Sequence, residues 1–133
     1  MAVLTNATRG VVLADHAEVA DGLLARLTGL LVRQALHDGE ALVIPRCSSI
    51  HTWWMRFPID VLFLKTIGNA ECGMRNAEVV KAIQGLQPFQ LAWAGKADVA
   101  IELPVNRISR TSTTLGERMA IEVPVEVPGT SAT

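Results

Sequence analysis

The sequence predicts a mainly β domain, either an antiparallel β sandwich or a partly closed barrel, with one or two short helices. Three observations support this fold class: several short segments are rich in β-branched and aromatic residues, turn-forming residues separate them, and helical periodicity occurs in one early segment. The chain has 133 residues and 50% of them are hydrophobic, so it can bury one core without a metal or disulfides. We therefore expect a single domain over residues 1–133, with residues 128–133 as a frayed tail.

The segment with a helical period is residues 21–31. Its leucines recur at the spacing of one helical face, Asp21 is placed to cap the first turn, and Gly29 lies near the end. This pattern predicts a short amphipathic helix. Its apolar face consists of Leu23, Leu24, Leu27, Leu30 and Leu31.

The other segments favour strands with turns between them. Pro58 forces Phe57 out of the helical region, so a bend or bulge is expected there. Pro124 and Pro128 cannot donate to a ladder, which places the last strand at a sheet edge. Residues 66–76 gather Gly and Asn without periodicity and are predicted to form a mobile hairpin loop. The predicted strands are residues 41–44, 50–55, 59–64, 79–83, 97–103 and 119–127.

Composition and charge argue against several kinds of partner. The formal charge of −1 comes from 12 basic and 13 acidic residues without a run of like charges, so neither nucleic acid nor a membrane surface is an expected partner. The apolar runs are too short to cross a bilayer and the first residues do not resemble a secretory signal, so we expect a cytoplasmic protein. Cys47 and Cys72 do not form a disulfide framework and are expected to be thiols.

Residues 47–64 are the most informative stretch of the chain. They place a thiol, an imidazole, indoles, a thioether and a carboxylate in what otherwise has the pattern of core strand. Buried polar groups need partners, so the stretch marks either a site or an unusual piece of core. Because residues of equal parity share a face of a strand, the pattern predicts one face with Cys47, Ser49, His51, Trp53 and Met55, and Ile50, Thr52 and Trp54 opposite.

The spacing Cys47-x3-His51-x3-Met55 is a weak candidate for a metal site. Thiolate, imidazole and thioether together hold copper in cupredoxins, although a second imidazole would have to come from His16 or His37. The other interpretation is a strand whose face packs against the core. We expect no metal and no cofactor.

A nucleophile and base pair is a second hypothesis for this stretch, with Cys47 or Ser49 as nucleophile and His51 as base. Residues two or four apart on a strand lie about 7 to 13 Å apart, which is beyond hydrogen-bond reach. The pair therefore requires a turn within residues 47–49.

Asp60 has two interpretations. Its carboxylate follows Pro58 and precedes a strongly apolar strand, so it must accept hydrogen bonds or pair with Arg56, Arg46 or His51. It then either works at a cleft together with His51, or caps backbone amides left free by the proline bend.

Glu102 and Trp93 complete the candidate set. Glu102 lies in another apolar segment, where it could share a cleft with Asp60 or meet arginines at the rim. Trp93 lies among small residues, where its indole either plugs the end of the barrel or lines a pocket.

Several motifs together resemble one known family. They are Arg26-x2-Gly29-Leu30-Leu31, then His51-Thr52-x2-Met55-Arg56-Phe57-Pro58-Ile59-Asp60, then Ile101-Glu102-Leu103-Pro104, and finally Gly116-Glu117. The series resembles domain-of-unknown-function family 192, a bacterial and archaeal group, over nearly the whole chain. The resemblance implies a small, mainly β domain with a short helix and no established activity. The signature positions it implies are His51, Thr52, Met55, Pro58, Asp60 and Glu102.

The chain departs from the family pattern at three places. The loop at residues 66–76 looks longer than the usual hairpin, which puts in question the shape of any pocket at that end. Asn106 stands where glycine often occurs, and Asn tolerates the same left-handed turn. Glu117 replaces the more usual aspartate.

The leading functional prediction is a small non-catalytic binding domain for a small-molecule or peptide ligand. Its cleft is expected around the His51–Asp60 segment, because polar groups occur there among aromatic residues without a nucleophile and base pair. One alternative is a hydrolytic or metal-assisted enzyme using His51, Asp60 and Glu102. Another is a protein–protein interaction module whose edge strand at residues 119–127 pairs with another chain. The oligomeric state is left open. The ligand-binding candidates are His51, Trp53, Met55, Asp60, Trp93 and Glu102.

Overall fold

The structure, a computed structural model, describes residues 2–20, 36–53, 55–71 and 74–123. Over these ranges it contains nine strands and one short helix. Their bounds are β1 Ala2–Asn6, β2 Val11–Val19, β3 Gly39–Pro45, β4 Ser49–His51, β5 Ile59–Glu71, β6 Met74–Leu86, β7 Leu91–Trp93, β8 Val99–Pro104, α1 Arg107–Thr111 and β9 Arg118–Glu122.

Seven of the described strands form a closed barrel in the order β1-β2-β3-β8-β5-β6-β9, with β9 returning to pair with β1. All neighbouring strands are antiparallel except β2 and β3, which are parallel. The predicted mainly β class is therefore confirmed, and of the two predicted architectures the barrel is the one observed, fully closed. Closure matters because it leaves no unpaired barrel edge among the described strands.

The prediction that the last strand lies at an edge is wrong for its described part. In β9 the residues from Met119 to Glu122 pair with β1 on one side and with β6 on the other. Pro124 and Pro128, which motivated the prediction, lie outside the described residues. The interaction module that was to pair through this edge therefore loses its structural basis over residues 118–122.

The remaining two described strands, β4 and β7, form a separate antiparallel ribbon. Ile50 on β4 and Ala92 on β7 are paired, and both are buried against the outside of the barrel. The ribbon therefore acts as a second layer over one side of the barrel, and its opposite face is open to solvent.

The molecule has two hydrophobic cores. The inner core draws side chains from all seven barrel strands and from Ile108 of α1, so it fills the barrel. The outer core lies between the outward faces of β3, β8, β5 and β6 and the ribbon that covers them. The two cores are separate because successive side chains along each strand point to opposite faces of the sheet. On β5, for example, Leu62 and Leu64 belong to the inner core while Ile59, Val61 and Phe63 belong to the outer core.

Several predicted elements differ from the observed ones in extent. The predicted strands at 41–44, 59–64 and 79–83 lie within longer strands, and most of 97–103 lies in β8. The predicted loop at 66–76 is largely wrong, because β5 continues to Glu71 and β6 begins at Met74, pairing across the hairpin. The strands β1, β2 and β7 and the helix α1 were not predicted. The predicted helix at 21–31 and the tail at 128–133 lie outside the described residues.

No helix in the described ranges combines the length and apolar character needed to span a bilayer.

Candidate functional site

The ribbon carries an exposed face of aromatic and apolar side chains. Ser49 pairs with Trp93 and His51 pairs with Leu91, on the face opposite the buried Ile50 and Ala92. Trp53 lies two residues after the end of β4, and its ring centroid lies 5.6 Å from that of His51. Phe89 precedes β7. We call His51, Trp53, Phe89, Leu91 and Trp93 the aromatic face.

The aromatic face is open to solvent to an unusual degree for such side chains. The exposed fractions are 42% for Trp53, 71% for Phe89, 54% for Leu91 and 60% for Trp93. Single exposed apolar residues are ordinary, whereas a group of them on one surface is typical of interaction sites. Trp93 therefore does not plug the end of the barrel, which was one of its two predicted roles.

Lys81 supports Trp93 from the neighbouring strand β6. Its ammonium nitrogen donates a hydrogen bond to the Trp93 carbonyl oxygen at 2.8 Å and lies 5.5 Å from the centre of the indole ring. A cation over an indole is attracted by the ring's negative face. This contact steadies the end of β7 and adds one positive charge to the border of the aromatic face.

Phe89 is held in a backbone conformation that phenylalanine rarely adopts. Its φ angle is 63°, in the left-handed region, while its side chain is mostly in solvent. Such a conformation persists only when surrounding contacts fix it, and it clusters at functional sites. The contacts that fix it here come from Thr52.

Thr52 joins the turn after β4 to the turn before β7. Its backbone N–H donates to the Gln90 carbonyl at 2.9 Å, and its carbonyl accepts from the Phe89 N–H at 2.8 Å. Its hydroxyl donates to the Gln87 carbonyl at 2.7 Å and accepts from the Gln90 N–H at 2.8 Å. Thr52 is 1% exposed. This buried side chain therefore positions both turns that present the aromatic face.

Replacing Thr52 by valine tests this role. Valine keeps the shape but removes the hydroxyl, leaving the Gln90 N–H and the Gln87 carbonyl without that partner, so we expect a loss of about 1–3 kcal/mol in the free energy of unfolding. Faster hydrogen exchange at the Gln90 amide should accompany it. Thr114→Val at an exposed threonine is the control and should change stability by less than about 0.5 kcal/mol. Equal stability of Thr52→Val and the wild-type protein would contradict the assignment.

Asp60 is a structural brace between three elements. It is fully buried, with its Oδ1 accepting from the Gly85 N–H at 3.0 Å and its Oδ2 accepting from the Ile108 N–H at 2.9 Å. Two residues of β6, Gln84 and Gly85, stand opposite Asp60, which is a bulge that frees the Gly85 N–H. Gly85 has φ 67°, as a glycine at a bulge can.

The second hydrogen bond of Asp60 gives the Ile108 N–H, in the first turn of α1, an acceptor that the residues next to the helix do not provide. Asn106 is the N-cap residue but makes no side-chain capping bond. The free N–H groups of a first helical turn need acceptors, and a carboxylate there also interacts well with the helix dipole. Of the two interpretations for Asp60, capping of backbone amides is the one observed, although the amides belong to Gly85 and Ile108 and not to the proline bend.

Glu102 has a different environment on the outward face of β8. Its strand neighbours Ile101 and Leu103 belong to the inner core, while its cross-strand partners Leu42 and Val61 belong to the outer core. It is 5% exposed, and no described residue gives it a hydrogen bond or an ion pair. Burial raises the pKa of Glu102 to about 7.

The three residues of the predicted enzyme do not converge. Asp60 pairs with Leu103, so it lies on the inward face of the sheet, whereas Glu102 pairs with Val61 on the outward face. His51 lies on the solvent side of the ribbon. The shared hollow predicted for Asp60 with His51 or Glu102 is therefore wrong, because adjacent positions on paired strands alternate between faces.

The predicted common face of residues 47–55 also fails, and with it the candidate metal site. Cys47 and Met55 are buried in the outer core, while His51 is exposed on the ribbon. The Cys47 thiol donates to the Ser49 carbonyl at 3.0 Å. Strand geometry holds only over Ser49–His51, since a turn follows. Within the ranges that the structure describes, no group of three His, Cys, Asp or Glu side chains could hold a metal ion.

A polar network near the start of β9 involves another residue from the family pattern. The Glu117 Oε1 accepts from the Thr114 N–H at 2.8 Å and from the Asn6 amide at 3.1 Å, and its Oε2 lies 2.7 Å from Arg9. The Thr114 N–H, followed by Arg9 and Asn6, holds the pKa of Glu117 below its usual value. The contacts fix the turn before β9.

Sequence reasoning missed part of the aromatic face. Phe89 and Leu91 were not singled out, and Thr52 entered as a family signature position without a role. Trp54, which was assigned to the opposite face, lies outside the described residues. The available signal was that Phe89, Leu91 and Trp93 are large apolar residues close together in the chain. The neighbouring residues Gln87, Pro88 and Gln90 make this segment too polar to be an ordinary core strand.

The fold and site define a class: a small closed β barrel with a two-stranded ribbon that presents an aromatic surface. The chain belongs to the DUF192 family, described as an uncharacterized ACR, whose profile matches residues 4–121. A comparison with curated proteins gave no match.

Two solved structures share the fold. One, from Sinorhizobium meliloti 1021, is described as a "putative transcription regulator"; it has 17% identity and a TM-score of 0.69, and the match covers 89% of each chain. The other is a protein of unknown function from Novosphingobium aromaticivorans DSM 12444, with 17% identity, a TM-score of 0.64, and coverage of 89% of this chain and 81% of that chain. At this identity the likeness concerns the fold alone.

Proposed function

We propose that this protein is a non-catalytic binding domain whose aromatic face takes a small-molecule or peptide ligand with an apolar or flat surface. The observation that carries the proposal is the exposure of Trp53, Phe89, Leu91 and Trp93 on one rigidly held surface. Aromatic side chains contribute large contact areas at low entropic cost, which is why they are enriched where proteins bind ligands and partners.

The construction of the surface supports the proposal further. Exposing Phe89 in a left-handed conformation costs free energy twice, first in backbone strain and second in apolar hydration. Thr52 and Lys81 hold the two ends of the presenting segment in place. A prearranged surface of this kind loses little entropy when a ligand binds.

A matched pair of leucine variants tests the proposal. Leu91→Ser removes an exposed leucine from the aromatic face, and Leu115→Ser removes one that is 63% exposed outside that face. Monosaccharides, nucleosides, amino acids and short proline-rich peptides are screened by thermal shift and by tryptophan fluorescence. We expect a ligand whose affinity falls roughly tenfold in Leu91→Ser and is unchanged in Leu115→Ser, because one leucine side chain is worth about 1.5–3 kcal/mol when covered.

Two outcomes count against the proposal. One is that no class of probe raises the melting temperature or changes the fluorescence. The other is that Leu91→Ser and Leu115→Ser bind every hit equally, which would place binding elsewhere on the molecule.

A further inference from the structure

Glu102 is a buried acid that the aromatic face does not use. It lies in the middle of β8, where the barrel meets the outer core, and its two cross-strand neighbours are the apolar Leu42 and Val61. An ionised carboxylate in such a place costs several kcal/mol unless it is paired or bonded. No residue in the described part of the chain pairs with it.

The carboxyl oxygens of Glu102 still reach solvent. In the described residues, every fully buried side-chain oxygen or nitrogen has a hydrogen-bond partner. The Glu102 oxygens have none, so the 5% exposure of this residue must include them. The carboxyl group therefore keeps slight access to solvent although its strand neighbours are apolar.

We infer that Glu102 anchors a binding site for an organic cation, with its carboxylate receiving an ammonium or guanidinium group of the ligand. This goes beyond the proposed function, because the site lies on the outward face of β8 and does not involve the exposed face of the ribbon.

The charges near Glu102 favour a cation over other ligands. The charged residues on the outward face of the packed strands are Glu40 on β3, Lys65 on β5, Glu78 and Lys81 on β6, and Asp98 before β8. Glu40 accepts from the His37 N–H at 2.8 Å, and Asp98 accepts from the Thr66 N–H at 2.9 Å. Lys65 is four residues from Val61, the β5 residue that pairs with Glu102, which corresponds to about 13 Å along the strand. The Lys65 Nζ lies 3.9 Å from the Asp98 Oδ2. Three of these five charges are negative, and Glu102 adds a fourth when it is ionised, so the local balance of charge favours a cation over an anion.

Burial also increases what a cation gains there. The pKa of Glu102, raised to about 7 by desolvation, shows that the carboxylate lacks a compensating charge. A cation that enters supplies this charge in an apolar setting, where charge-assisted hydrogen bonds are stronger than in water. The apolar walls formed by Leu42 and Val61 suit the methylene stem of an alkylammonium or alkylguanidinium ion.

The test uses n-butylammonium and methylguanidinium as cationic probes and butyramide as the neutral one. NMR of the side-chain carboxyl follows binding and the titration of Glu102. We expect both cations to bind and to lower the pKa of Glu102, and we expect Glu102→Gln to weaken their binding roughly tenfold or more. Glu122→Gln, at an exposed glutamate on β9, is the matched control and should bind as the wild-type protein does.

Glu102→Gln keeps the size of the side chain, so loss of folding does not complicate the result. Equal binding of the cations to Glu102→Gln and wild type overturns the inference, as does butyramide binding as tightly as n-butylammonium. The tripeptide Gly-Arg-Gly identifies the source of the cation: tighter binding than methylguanidinium indicates a peptide, and weaker binding indicates a small cation. Leu91→Ser should leave cation binding unchanged, so this inference and the proposed function can fail separately.

Discussion

Replacing Asp60 by alanine should lower the free energy of unfolding by about 3 kcal/mol or more, the largest single effect expected in this protein. The substitution leaves the N–H groups of Gly85 and Ile108 without acceptors in a fully buried place. Each unsatisfied buried group costs about 1–3 kcal/mol. Urea unfolding followed by circular dichroism measures the loss, and hydrogen exchange at the two amides should speed up more than at other sites.

Two further variants separate the brace from a general effect of removing an acid. Asp60→Asn keeps one acceptor oxygen but turns an NH2 group toward an N–H donor, so it should lose about half as much stability as Asp60→Ala. Asp38→Ala removes an acid that is 67% exposed and paired with Arg110, and should cost less than about 1 kcal/mol. If Asp60→Ala unfolds at the same urea concentration as Asp38→Ala, the brace assignment is wrong.

Glu102→Gln is expected to stabilise the protein at alkaline pH. The pKa of Glu102 is raised from 4.5 to about 7 on folding, so between these values the folded protein holds a proton that the unfolded chain has released. The unfolding free energy contributed by this group therefore falls as pH rises through this window and levels off above about pH 7. The full loss is at most about 3 kcal/mol.

The comparison of Glu102→Gln with wild type should isolate this dependence. At about pH 8 the variant should be the more stable protein, and at about pH 3 the two should be similar, because wild-type Glu102 is then protonated in both states. Glu117 acts in the opposite sense, since its lowered pKa contributes stability that is lost as pH falls, but it is present in both proteins and cancels. A difference between the two proteins that does not change with pH would contradict the assignment.

The two buried acids show why burial by itself does not define a role. Asp60 has a donor for each oxygen and holds the fold together. Glu102 has no such donor and lowers stability at neutral pH. A residue that lowers stability and makes no stabilising contact is commonly retained for function. This contrast is the reason that we propose a cation site at Glu102 and not at Asp60.

The sequence by itself was sufficient for the fold class and for the family. Apolar segments with β-branched residues predicted most of the central strands, because such residues suit a pleated, buried surface wherever it lies in the chain. The motif from His51 to Asp60 was specific enough to indicate the family. Short strands such as β7, with only Leu91–Trp93, and the early strands β1 and β2 were missed, because their patterns are too short or too polar to stand out.

Only the tertiary structure decided what the motif residues do. The partners of Asp60, at Gly85 and Ile108, are 25 and 48 residues away along the chain, and those of Thr52 are up to 38 residues away. No local pattern encodes such pairs. Nor does the local pattern determine which face of the ribbon each side chain lies on. The alternation expected of a strand predicted one face for Cys47, His51 and Met55, but the strand ends at His51 and the turn after it redirects the chain. Residue types therefore determined which side chains need partners, while the closure of the barrel and the position of the ribbon determined which of them obtained one.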